Sequence, residues 1–306
     1  IARATKLTRA TVSEVVSGLM AEGLVEEVGL DTSGNGKPSI LLSLVPDSRY
    51  LIGLNLGQDK FIGAIVNLSG EIKETVEVPI VGSDGEKALQ FVYEILNQLL
   101  AKGWEPIIGI GIGTPGLVNT REGKVVDAVN LDWEDLPLAT LLQERYGLPV
   151  SVLNDSQATA IGEFVYGGHR SESNLIVINV KHGIGAGILI NGQLFQGDDG
   201  SAGEIGHVRV HGNDLPCRCG QIGCLETLAS AQAVVRRYKE LSKEAQLVSL
   251  DEVEKRLEAG DGIARQVVLE AGCSLGEFIG FLSATLNIQE IILTGDMTRF
   301  GEPWLN

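Results

Sequence analysis

Basic residues are scarce in this chain: 24 Lys and Arg stand against 40 Asp and Glu over 306 residues, a formal charge of −16. Such a chain lacks the broad positive footprint that holds polyanions, so any contact with nucleic acid must be local. Aromatic residues are also few, 5% of the chain, while glycine is abundant at 39. That profile suits an α/β protein with tight strand turns and argues against disorder. No run of 18 or more apolar residues occurs and no basic-apolar-small leader opens the sequence. Neither a membrane span nor secretion is therefore expected, and the cytoplasm is the expected compartment. The cysteines number four, three of them within eight residues at Cys217, Cys219 and Cys224, which reads as metal ligation and not as a disulfide framework. Cys273 falls in an apolar helical stretch and reads as a buried small hydrophobe.

The length accommodates a small module and a two-lobed body. The expected divisions are residues 1–45, 49–128 and 129–306, with a short linker at Pro46–Ser48. In the first, Thr8 can cap a helix in which Val12, Val15, Val16, Leu19 and Met20 fall at helical spacing, a single stripe expected to be buried, and Gly23 stops it. Its polar residues Arg9, Thr11, Ser13 and Ser17 are short enough to approach base edges and phosphates. Upstream, the first four residues read as the end of a preceding helix, with Thr5 and Lys6 as the turn. Downstream, Leu24–Val28 and Ser39–Leu44 read as strands around a turn holding Gly34, Gly36 and Lys37. Helix, turn, helix and hairpin in that order describe a winged helix-turn-helix with Lys37 on the wing, its first part lying before Ile1. An amphipathic helix and hairpin serving protein contacts is the alternative. Residues 1–45 hold four basic side chains against five acidic ones, a balance that supports neither over the other.

The rest of the sequence contains one pattern twice. Tyr50–Asn55, Phe61–Leu68 and Glu71–Ile80 read as three antiparallel strands, and Leu175–Val180, Ile184–Ile190 and Gln193 onward repeat the order. Each copy leads through helical stretches to a buried strand ending in a glycine turn, Ile107–Ile112 and Ile291–Leu293. Paired lobes of this kind describe the actin-like ATPase (ribonuclease H-like) architecture, an analogy that gives fold and not activity.

His207, Cys217, Cys219 and Cys224 offer one imidazole and three thiolates within eighteen residues. They fit a closed tetrahedral zinc site, structural because no coordination position stays open for water. Unligated cysteines beside a histidine are the alternative.

Gly203-Glu-Ile-Gly-His207 and Cys217-Arg-Cys-Gly-Gln-Ile-Gly-Cys-Leu-Glu226 resemble the signature of the ROK family (repressors, open reading frames and sugar kinases). Thr114-Pro-Gly116, Asn130-Leu-Asp-Trp133 and Leu153-Asn-Asp155 extend the resemblance over nearly the whole chain. The resemblance implies a sugar pocket built from Asn154, Asp155, Glu204, His207 and Glu226, with Gly116 near the ligand. Carboxylates and an amide suit vicinal hydroxyls, and a metal-bound imidazole keeps one nitrogen to donate. Taken singly, Asn154 and Asp155 could be a helix cap, and Glu226 a helix-start carboxylate. The resemblance also implies continuation beyond Asn306 with further helices.

Kinases of that family resemble Asp-x-Gly-Gly-Thr at the first cleft turn; this chain has Asn55, Gly57, Gln58 and Asp59 there. Asn55 lacks the charge that manages magnesium, Gln58 adds bulk, and Asp59 sets a carboxylate against phosphate. His182 stands in the second turn where those kinases have a small hydroxyl residue, and Thr294-Gly-Asp296 departs from their glycine pair. Asp155 keeps the position of the family's general base. The expectation is a non-enzymatic, sugar-responsive repressor of the xylose-, glucose- or N-acetylglucosamine-responsive kind, binding operator DNA as a dimer or tetramer. An ATP-dependent hexose or N-acetylhexosamine kinase is the alternative, and a zinc-held scaffold a third possibility.

Overall fold

The computed structural model describes residues 1–31, 39–80, 85–170, 173–243 and 248–305. By compactness they form two units, Ile1–Gly116 with Arg121–Val152, and Leu117–Thr120 with Leu153–Asn306.

The first unit opens with a short helix α1 (Ala2–Thr5), a left-handed Lys6 and helix α2 (Arg9–Ala21). Thr8 caps α2 by accepting from the Thr11 amide, as its residue type favours. Gly23, at φ 71°, turns the chain into β1 (Val25–Asp31), which pairs antiparallel with β2 (Ser39–Leu44) through a bulge after Glu27. The stripe expected to be buried is not: Val15 is 51% and Met20 37% exposed, and Val12, Val16 and Leu19 are half-buried. Among the described residues α2 packs chiefly on β1, a partner too small to cover it. Gly34, Gly36 and Lys37 lie outside the described residues.

Strands β3 (Tyr50–Leu56), β4 (Lys60–Asn67) and β5 (Ile72–Pro79) form an antiparallel meander, and α3 (Gly85–Leu100) packs on it. Ala88, Val92, Ile95, Leu96 and Leu99 are the buried side of α3, at the spacing of one helical face. Strand β6 (Ile107–Thr114) lies parallel to β3. Beyond β7 (Leu117–Asn119), which belongs to the second unit, come β8 (Lys124–Ala128), its antiparallel partner β9 (Trp133–Leu136), helix α4 (Leu138–Tyr146) and β10 (Val150–Asn154). The sheet order is β10-β6-β3-β4-β5. Because β10 adds to the β6 edge, the expected boundary at residue 128 falls inside the first unit.

The second unit repeats the scheme. After α5 (Asp155–Tyr166), strands β11 (Leu175–Val180), β12 (Ile184–Ile190) and β13 (Gln193–Leu194) run antiparallel. Helices α6 (Glu226–Ala229), α7 (Ala231–Ser242), α8 (Leu250–Glu258) and α9 (Gly262–Leu286) lead to β14 (Ile291–Thr294), parallel to β11, and then α10 (Glu302–Leu305). Every residue of β11 is buried, which is why it reads as an unbroken apolar run. Ile176, Ile178 and Val180 join the core with α7 and α9, while Leu175 and Val177 pack with Ala160 and Phe164 of α5. Helix α9 is long and apolar enough to cross a membrane by length and composition alone; here Ala264, Val267, Val268, Ala271, Leu275 and Leu282 enter the core. Cys273, expected to be buried, is exposed on the side of α9 away from that core.

Candidate functional site

The residues singled out around the metal motif converge within the second unit. Strand β10 ends at Asn154, whose side chain caps α5 by accepting from the Ser156 amide at 2.8 Å. Its other end reaches the loop before His207: Asn154 Nδ2 donates to Glu204 Oε1 at 3.4 Å. The cap and the ligand readings of Asn154 are therefore compatible. Asp155 opens α5 with Lys181 Nζ 4.0 Å from its Oδ2. Burial holds the Asp155 carboxyl above its usual range, against the pull of Lys181.

The loop carrying Glu204 is pressed onto β12. Gly203 has φ 104°, and a Cβ there would collide with the Ala186 carbonyl oxygen, so both conformation and space require glycine. Gln157 anchors the start of the same loop, donating from Nε2 to the carbonyls of Gly200 at 2.9 Å and Ala202 at 3.2 Å. Burial, then the carboxylates of Asp155 and Glu226, push Glu204 up to about 7, while the Arg218 guanidinium pulls it down.

His207 faces two ways. Its Nδ1 lies 3.6 Å from Cys217 Sγ and 4.0 Å from Glu226 Oε1, and its Nε2 lies 4.0 Å from Glu204 Oε2. One ligand atom each from His207, Cys217, Cys219 and Cys224 falls within 4.8 Å of the others, a cluster that could hold a metal ion. Cys219 and Cys224 sulfurs are 3.7 Å apart, close to the edge of about 3.8 Å that a tetrahedron with zinc–sulfur bonds of about 2.3 Å requires. Burial raises the Cys217 and Cys224 thiols above their ordinary range, whereas at Cys219, against burial, hydrogen bonds from the Gln221 amide and the neighbouring thiols lower it. The donor set, three sulfurs and an imidazole, fits zinc. Glu226 begins α6 with its side chain 8% exposed and accepts from Cys217 Sγ at 3.1 Å.

The remaining candidates lie in the first unit, apart from His182, which is half-buried in the β11–β12 turn. Gly116, at φ 89°, is packed against the Asp127 carbonyl, an ample reason for glycine without a ligand. Asn55 and Asp59 are exposed at the β3–β4 turn, Gln58 is half-buried, and Gly57 closes the turn, a Cβ there meeting Lys60 O at 2.7 Å. On α2, Arg9, Ser13 and Ser17 are exposed along one line. Thr11 lies about 200° around the helix from Arg9, and its Oγ1 is 2.9 Å from that of Thr8. Lys37 lies outside the described residues.

Sequence reasoning missed Lys181, Arg218 and Gln157. Arg218 carried a signal, since it stands between two cysteines of the candidate metal cluster; Gln157 carried none beyond its place two residues after Asp155.

A model of the ROK family matches residues 51–303. A xylose repressor of Caldicellulosiruptor bescii is 34% identical over 321 residues, taking in 100% of this chain and 80% of the repressor. The crystal structure of a ROK family transcriptional regulator, a homologue of the E. coli MLC protein, aligns with a TM-score of 0.84 at 26% identity, over 99% of this chain and 80% of that one. A ROK family glucokinase from Streptomyces griseus, solved with glucose and AMPPNP, aligns with a TM-score of 0.76 at 28% identity, over 84% and 86%.

Proposed function

Since this chain belongs to the ROK family and carries its actin-like α/β fold, we propose that it is a sugar-responsive transcriptional repressor. The observation that carries this reading is coverage. Similarity to the xylose repressor takes in 100% of the chain, α2 and the β1–β2 hairpin included, whereas the glucokinase match takes in 84%. The segment that distinguishes the two is the one that suits DNA.

In this reading residues 1–45 are a winged helix-turn-helix, with Arg9, Ser13 and Ser17 of α2 toward the major groove and Lys37 on the wing. Thr11, whose hydroxyl engages Thr8, stabilises the start of the helix. Dimers or tetramers in the cytoplasm would present paired recognition helices to an operator. Zinc, held by His207, Cys217, Cys219 and Cys224, would fix the loop and supply no bond-making chemistry. With Nδ1 toward the sulfurs, His207 keeps Nε2 for a sugar hydroxyl beside Glu204, and Asn154, Asp155 and Glu226 take the others. Gly116 has a sufficient backbone role of its own and is a weaker member of the set.

The chain is not an enzyme in this reading. Asn55, Gln58, Asp59 and His182 replace what a phosphate cradle needs, and Asp155 accepts from a hydroxyl without taking its proton to completion. The sugar acts by binding one arrangement of the protein more tightly than another, a coupling of about 1–3 kcal/mol in typical cases. Titrating an operator complex with D-xylose, D-glucose and N-acetylglucosamine, with and without ATP, tests it. The expected result is a changed operator affinity with one sugar and no ATP consumption. Turnover of ATP with that sugar would establish the kinase instead.

A further inference from the structure

The loop between Cys217 and Cys219 holds a single residue, Arg218, and the two flanking cysteines fix its backbone. The side chain reaches Glu226: Arg218 Nε lies 3.4 Å from Glu226 Oε1, with the carboxylate nearly buried and the guanidinium 37% exposed. The other end of the pair sits against the β11–β12 turn. A Cβ on Gly183, in the β11–β12 turn, would lie 2.8 Å from Arg218 Nη2 and 2.9 Å from Glu226 Oε2, so the backbone of that turn covers both groups closely. The oxygen that meets Arg218, Oε1, also accepts from Cys217 Sγ at 3.1 Å and lies 4.0 Å from His207 Nδ1.

We propose that Arg218 is a positioning residue of the effector pocket, through which the zinc loop fixes the orientation of Glu226. This rests on the sugar-binding reading given above. With the guanidinium more than a third exposed, solvent screens the pair and limits what it adds to global stability. Its effect is on geometry: a buried carboxylate with one oxygen held by a guanidinium presents the other in a fixed direction, and ordering it before the ligand arrives lowers the cost of binding. Arginine suits the task because its planar fork keeps its direction when one nitrogen is engaged.

The test uses the full chain with Arg218→Ala, Arg218→Lys and Gly183→Ala. Zinc content, the thermal midpoint and calorimetric affinity for D-xylose, D-glucose and N-acetylglucosamine are measured for each, with glucose 6-phosphate as a control. The expected outcome is that Arg218→Ala keeps one zinc per chain and the wild-type midpoint but binds the effector sugar about tenfold or more weakly, a loss of about 1.4 kcal/mol. Arg218→Lys should recover part of that affinity. Gly183→Ala, which crowds the pair without altering the zinc loop, should weaken the sugar with zinc retained. Unchanged affinity in Arg218→Ala overturns the proposal, as does loss of zinc together with the sugar, which would make Arg218 part of the loop's own folding. Weakening confined to the phosphorylated sugar overturns it in favour of a ligand-phosphate contact. If the wild-type chain binds none of the sugars, the sugar-binding reading itself fails.

Discussion

Asn154 and Glu204 are fifty positions apart in sequence, yet the Asn154 amide that caps α5 also donates to the Glu204 carboxylate at 3.4 Å. One side chain thus serves a helix terminus through its oxygen and the Glu204 carboxylate through its nitrogen. The two roles separate by substitution. Asn154→Ala removes both and should cost about 1 kcal/mol of stability, the usual worth of an N-cap, with weakened sugar binding. Asn154→Ser keeps a capping oxygen but lacks the amide nitrogen. Its midpoint should stay near wild type while sugar affinity falls, and equal affinities for the Ser variant and wild type would remove the amide from the pocket.

Stability should depend on pH through Glu204. Its carboxyl is raised from 4.5 to about 7 in the folded chain, so the native state binds that proton more tightly than the unfolded state does. The stabilisation is complete below the ordinary value and is lost as pH rises through about 7. Asp155, raised by burial, acts in the same direction. Denaturation midpoints of the metal-free protein should fall between pH 5 and pH 8, and Glu204→Gln should flatten that fall. A profile identical to wild type would show that Glu204 does not titrate in this range.

Chelation should destabilise the second unit. A ligand bound only by the native state, at a thousandfold excess over its dissociation constant, contributes about 4 kcal/mol. Removing zinc or introducing Cys224→Ser at a fully buried sulfur should lower the midpoint by several degrees and abolish the sugar response. Full sugar affinity in zinc-free protein would contradict the bracing role of the metal.

On DNA, Arg9→Ala should weaken operator binding across sequences and lower the salt slope by about one unit, the mark of one phosphate contact. Thr11→Ala should act instead through helix stability, because the Thr11 hydroxyl is engaged with Thr8. Filter binding at several salt concentrations separates the two, and a slope unchanged in Arg9→Ala would remove that residue from the phosphate contacts.

What the sequence disclosed was local. The Thr8 cap, the Gly23 stop, the duplicated meanders and the cysteine spacing all depend on neighbours a few residues away, and each is found in the structure. What it hid was pairing at a distance. Nothing local in Val150–Asn154 told that it pairs beside β6, and the expected division at residue 128 fell inside a unit. Apolar spacing likewise implies a face but not what covers it: Val15 and Met20 of α2 and the thiol of Cys273 on α9 remain exposed. Arg218 and Gln157 escaped for a related reason, since their partners Glu226, Gly200 and Ala202 are brought close by loops.

The His207 ring turns one nitrogen toward the sulfurs and the other toward Glu204. An aromatic ring is a rigid plate, so the torsion that satisfies the metal also dictates the line along which the second nitrogen donates. Epimeric sugars differ only in which way a hydroxyl leaves its carbon, and a donor of fixed direction rewards one and strands the other. In the proposed reading, stereochemical choice would therefore be inherited from coordination geometry, and exchanging zinc for an ion of different bond angles should alter which epimer is preferred before it alters whether the chain folds.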